Sequence, residues 1–140
     1  MKYQKFDDKY VLRLGLHEKV RETLTYFMEQ EKIRAGFFYG LGALCQAEIA
    51  HYPLSEKRYN TENFVGEYEV LNITGNIAMV DEKPFIHMHI TLGKKDYSVF
   101  GGHLVEGTVS PTLELCIQPF QGTMTRTMVD ELGLKLLDLK

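Results

Sequence analysis

The chain has 140 residues, 44% hydrophobic and 25% charged, with a net charge of −3. That is the make-up of one ordinary globular domain spanning residues 1–140. Its basic residues are scattered, with Lys57-Arg58 and Lys94-Lys95 as the only adjacent pairs, which argues against a phosphate-binding surface for nucleic acid as the main feature. No apolar run approaches the ~18 residues a membrane span needs.

The polar start "MKYQKFDDKYVLRLG" has no apolar core of the kind a signal peptide requires, so the expected location is the cytoplasm. There, Cys45 and Cys116 are expected as two reduced, partly buried thiols, because they lack a Cys-x-x-Cys spacing. The sequon Asn72-Ile73-Thr74 carries no meaning in that compartment.

Along the chain, Tyr10–Leu16 reads as a first strand. Val20, Leu24, Phe27 and Met28 then recur at helical spacing, which predicts an amphipathic helix over His17–Lys32, with Gly36 helping to end it. From Gly36 onward the pattern turns to β. In "GFFYGLGALCQAEIAHYPL", Cys45, Ala47 and Ile49 share one face of a strand, and Leu44, Gln46 and Glu48 the other. "YEVLNITGNIAMV", "FIHMHITLG", "YSVFGGHLVEGTV" and "TLELCIQPF" are further strands. Turns are expected at Asp81–Pro84, Gly93–Asp96 and Ser110-Pro111. The tail "TMTRTMVDELGLKLLDLK" suggests one short helical turn and a last strand. One helix followed by sequence-adjacent strands predicts an α+β fold, with the helix packed on a mainly antiparallel sheet.

The chemistry concentrates in "PFIHMHITLGKKDYSVFGGHLVEG", which holds three of the five histidines. Side chains alternate along a strand, so His87 and His89 point the same way. His103 follows on the next strand. An odd-length loop such as Lys94-Lys95-Asp96 would set it opposite His87, and an even one would need a bulge, for which Gly101-Gly102 is suited. Three neutral imidazoles with an open fourth position suit zinc, and also iron, nickel, copper or cobalt. Water bound there could become a hydroxide near neutral pH. Glu106 and Glu114 are the nearby carboxylates, yet Glu106 has the opposite strand parity to His103, so no general base is identified and no enzymatic activity is assigned. The plain alternative is that the histidines only hydrogen-bond within the sheet. His17, at the helix start, and His51, near a strand end, are read as structural.

Other motifs are weak. "GFFYGLGAL" lacks the third glycine of a dinucleotide fingerprint and runs into a strand, so its glycines serve a sharp turn or close strand packing. There is no Gly-x-Ser-x-Gly elbow, and the Thr123–Thr127 stretch reads as solvated strand or turn.

The blocks "LRLG", "GLGAL" with "AEIAHY", "YEVLNITGNIAMVDEKPFIHMHITLG" and "VFGGHLVEGTVSPTLELCI" resemble the plant-and-prokaryote conserved (PPC) domain over nearly the whole chain. The resemblance implies a helix against an antiparallel sheet, assembly into a homotrimer, and His87, His89 and His103 as metal ligands. Plant members follow AT-hooks that bind DNA and contact partner proteins. Here no Arg-Gly-Arg-Pro core occurs, so nucleic acid is a possible partner that neither charge nor an AT-hook supports. The reading is a small cytoplasmic homotrimer of unassigned biochemical role, holding zinc or another divalent transition metal on three histidines. The alternative is a DNA-associated regulatory or protein-interaction module in which those histidines are structural.

Overall fold

The computed structural model describes residues 1–139. Its elements are β1 (Lys2–Phe6), β2 (Lys9–Leu14), α1 (Val20–Gln30), β3 (Gly36–His51), β4 (Asn60–Val80), β5 (Lys83–Gly93), β6 (Val99–Pro119), β7 (Thr125–Val129) and β8 (Leu134–Asp138). Strand dominates, so the expected α+β class holds in its coarse form of one helix with a mostly antiparallel sheet.

The strands run in the order β1-β2-β6-β3-β4-β7-β8, and β5 pairs with both β4 and β6. That extra pairing closes β6-β3-β4-β5 into a ring. Every strand pair is antiparallel except β4–β7, which meet in parallel at Met79 and Thr125. Inward residues of the ring, among them Phe38, Leu44, Ile73, Ile77, Met88, Ile90, Leu92 and Leu104, are buried in one cluster with Val20, Leu24, Phe27 and Met28 of α1. Each such side chain contributes roughly 1.5–3 kcal/mol of hydrophobic stabilisation. Tyr3 and Tyr10 donate to the two oxygens of Glu31, at 2.7 and 2.8 Å, tying the β1–β2 hairpin to the end of the helix.

Several boundaries differ from the sequence reading. The helix is shorter than His17–Lys32. At its C-terminal end Ile33 N–H donates to Met28 O and Lys32 N–H to Glu29 O, while Lys32 takes φ 54°. This is a Schellman stop built on a lysine, so Gly36 plays no part in it. At the N-terminal end the cap comes from another element. Glu106 of β6 accepts from the backbone N–H of Arg21 at 2.8 Å and of Glu22 at 3.4 Å, covering orphan amides at the positive end of the helix dipole.

The face assignment in β3 fails because a register irregularity falls between Leu44 and Gln46. Leu44 and Ala47 are both buried, whereas strict alternation would oppose them. Gly40 and Gly42 lie within β3, where an added Cβ would overlap the carbonyl oxygens of Glu114 and Thr112. They serve close strand packing, and there is no sharp turn. Ser110-Pro111 lies inside β6. The turn at 81–84 tightens to Asp81-Glu82, both at positive φ, with Val80 paired to Lys83. The tail forms the β7–β8 hairpin in place of the expected helical turn. The strand β1 had no apolar alternation to announce it, and all its residues are exposed.

Candidate metal centre

β5 alternates between the two sides of the ring. Ile86, Met88, Ile90 and Leu92 point inward and are buried, while His87 and His89 point outward. β6 returns after a five-residue turn, and its register with β5 is unbroken from Gly93↔Val99 to His89↔His103. Thus His89, rather than His87, stands directly opposite His103. The expected parity survives because the turn is odd, and no bulge forms at Gly101-Gly102. These glycines act by absence: a Cβ on Gly101 would overlap the Ile90 carbonyl oxygen, and one on Gly102 would lie 2.9 Å from Ile49 Cγ2.

The three rings meet on the outer face. Centroids of His87 and His89 are 5.0 Å apart, of His87 and His103 5.2 Å, and of His89 and His103 5.5 Å. Each residue offers one nitrogen, and the three nitrogens lie within 4.8 Å of one another. His17 and His51 are not in this cluster. His17 sits in the turn before α1 with φ 66° and donates its backbone N–H to Val109 O. His51 ends β3.

Beyond the His89–His103 pair the β5–β6 ladder stops, and Arg21 fills the opening between the strands. Its guanidinium donates to Val105 O (2.5 Å), Ile86 O (2.7 Å) and Leu104 O (2.7 Å). One side chain from the helix therefore holds the backbone beside both His87 and His103. Glu106 is withdrawn from any catalytic part, since its carboxylate is spent on the amides of α1 and on Gly107 N–H. Glu114 lies far along β6, paired with Arg13 and Leu41.

Two other segments roof the cluster. Tyr59, in the β3–β4 connection, lies over His103 with ring centroids 4.9 Å apart. Tyr52 packs edge-on to Tyr59 and donates its hydroxyl to Leu132 O of the β7–β8 turn at 2.7 Å. From β7, Arg126 donates to Asn76 Oδ1 and to Lys135 O, both at 2.7 Å, and its Nη2 is 3.4 Å from His87 Nδ1. Arg21, Tyr59, Asn76 and Arg126 escape a sequence reading, because no spacing or motif links them to the histidines. They come from three elements and one connection.

Burial sets the protonation of the site. It is the leading cause that pushes His87 down to about 4, with Arg126 and His89 adding to it. Burial also leads in pushing His103 down to about 4, followed by His87 and Arg21. Both imidazoles are then neutral at pH 7, as metal ligands must be. His103 Nδ1 is buried without a hydrogen-bond partner among the described residues. Such an orphan is costly, and a metal ion is one group that would satisfy it. Zinc with ~2.0–2.1 Å bonds needs nitrogens about 3.3 Å apart, and these three lie within 4.8 Å of one another. The residues fit the ion.

The Plants and Prokaryotes Conserved (PCC) domain model matches residues 1–121. The chain belongs to this family. Among solved structures, a Bacteroides thetaiotaomicron protein provisionally named as DNA-binding is 29% identical, with 98% of this chain and 96% of that one covered and a TM-score of 0.95. A metal-containing protein from Archaeoglobus fulgidus is 32% identical over 97% and 98%, with a TM-score of 0.86. A plant- and prokaryote-conserved protein from Pyrococcus horikoshii is 27% identical over 99% and 94%, with a TM-score of 0.87. No curated protein matches the chain. Among the described residues no helix is long and apolar enough to cross a membrane.

Proposed function

We propose that this PCC-domain protein is a small cytoplasmic homotrimer in which each chain holds one divalent transition metal, zinc in the first instance, on His87, His89 and His103. The observation that carries the metal is the convergence of three imidazole nitrogens within 4.8 Å on two opposed strands. The metal-containing relative from Archaeoglobus fulgidus supports it. Such an ion would supply a Lewis-acid centre with an open fourth position. Among the described residues no carboxylate is placed beside it as a general base, so the reading stops at metal binding.

Trimer assembly is supported by the family membership and by outward side chains left bare on β3: Tyr39 and Leu41 are 60% and 59% exposed. A contiguous apolar strip of this kind is a common mark of a protein interface. Sedimentation equilibrium at micromolar concentration should return three times the chain mass.

For the metal, tag-free protein purified without chelator should carry close to one equivalent per chain. A His103→Ala variant should carry almost none, and full occupancy in that variant would refute the assignment.

The provisional DNA-binding name of the Bacteroides relative favours a second reading, of DNA association with structural histidines. Fluorescence anisotropy with duplex DNA tests it. Binding that weakens steeply with salt supports it, and no binding at 50 mM salt removes it.

A further inference from the structure

We propose that Arg126 turns the histidine cluster into a binding site for a small organic carboxylate, one oxygen on the metal and the other on the guanidinium. The inference rests on the three-histidine metal reading above and adds the ligand. It arises from charge. Three neutral imidazoles and a divalent ion leave the ion's full charge uncompensated, and Arg126 adds another positive charge at its edge. Among the described residues no carboxylate pairs with Arg126 within 4.0 Å, and Glu106 is committed to the start of α1. A partly buried site with that excess is completed by an anion.

The guanidinium is also under-used. One Nη1 hydrogen goes to Lys135 O and one Nη2 hydrogen to Asn76 Oδ1. Nε is buried with no partner among the described residues. The remaining Nη2 hydrogen faces His87 Nδ1 at 3.4 Å. Arginine can only donate, so this contact uses the lone pair of His87 Nδ1. A metal on that nitrogen takes the same lone pair. A metal on Nε2 puts a proton on Nδ1, donor against donor. Either way metal binding releases the Nη2 hydrogen at the rim of the coordination sphere, where a second ligand oxygen would lie. That hydrogen can make one charge-assisted N–H···O⁻ bond to the second carboxylate oxygen.

Room for the rest of such a ligand exists on the same face. A shallow cavity of about 270 Å³ is lined by Phe37, Thr74, Gly75, Asn76, His87 and His89. Its apolar wall is Phe37, which accommodates a short hydrocarbon portion. Arg126 is supplied by β7 of the last hairpin, beyond residue 121 where the family match ends.

Cobalt(II) separates the two layers of the claim. Chelator-stripped protein is loaded with one equivalent of cobalt(II), and its visible d–d bands are followed while acetate, oxalate or inorganic phosphate is added at constant ionic strength. Acetate and oxalate should change the bands saturably. In R126M, cobalt should still load at one per chain while carboxylate affinity falls about tenfold or more, the loss expected for one charged hydrogen bond. R126K should fall between the two and guards against a folding defect in R126M. Bands indifferent to carboxylate, equal affinity in R126M, or tighter binding of phosphate than of either carboxylate would each overturn the proposal. Failure of the wild-type protein to take up cobalt at all would instead overturn the metal reading, before any anion is added.

Discussion

The two sides of β5 obey different physics. The inward side, Ile86, Met88, Ile90 and Leu92, is buried and held by the non-directional exclusion of water. The outward side, His87 and His89, is held by named partners: Asn76 and Thr74 across the ladder, His103 opposite, Arg126 at the rim. One face makes the strand stable and the other makes it specific. The same eleven residues therefore should answer to different experiments.

The largest effect on stability should come from the inward face. Met88→Ala leaves a cavity in the closed ring and should cost about 2–5 kcal/mol in urea unfolding, while the folded variant keeps its metal content. If metal were lost in step with stability, the two faces would not be separable. Arg21→Met probes the one residue serving both. It leaves the carbonyls of Ile86, Leu104 and Val105 without their donor and should cost about 2 kcal/mol or more. It should also weaken metal affinity, because those carbonyls flank His87 and His103.

A pH series sharpens the contrast further. In chelator-treated protein, His87 and His103 stay neutral down to about 4 in the fold, against an ordinary value near 6.5 once unfolded. Between those limits the unfolded chain binds more protons than the folded one. Stability should therefore be full above pH ~6.5 and fall as pH drops toward 4. His87→Gln should flatten that slope, measurable as urea midpoints at pH 7 and pH 5. The smallest effect belongs to the exposed His89. Replacing it by Ala should move stability by no more than about 0.5 kcal/mol, yet abolish stoichiometric metal uptake.

Much of the histidine placement could be read from residues alone. Alternation in "FIHMHITLG" puts His87 and His89 together on the polar side, and an odd turn is enough to bring His103 to that side too. The pairing slid by two residues, to His89 opposite His103, because the turn runs over Lys94–Ser98 and not only Lys94–Asp96; a slide of two conserves the face. The faces of Leu44 and Ala47 were misread because a bulge breaks the period there, and period is all that a strand sequence offers. The helix end was misplaced for a related reason. Lys32, not a glycine, adopts the left-handed conformation, and its cost is offset by the Ile33–Met28 and Lys32–Glu29 hydrogen bonds.

What the sequence determined by itself is the set of alternating and helical faces, hence one amphipathic helix, a run of antiparallel strands and His87 and His89 on one side of a strand. These follow from local periodicity, which each short segment carries within itself. Only the tertiary structure decided what surrounds those imidazoles. Arg21 comes from the helix, Tyr59 from a connection and Arg126 from the last hairpin, because closing β6-β3-β4-β5 into a ring brings distant segments to one edge. Their meeting is a property of the closed sheet, and no stretch of chain contains it.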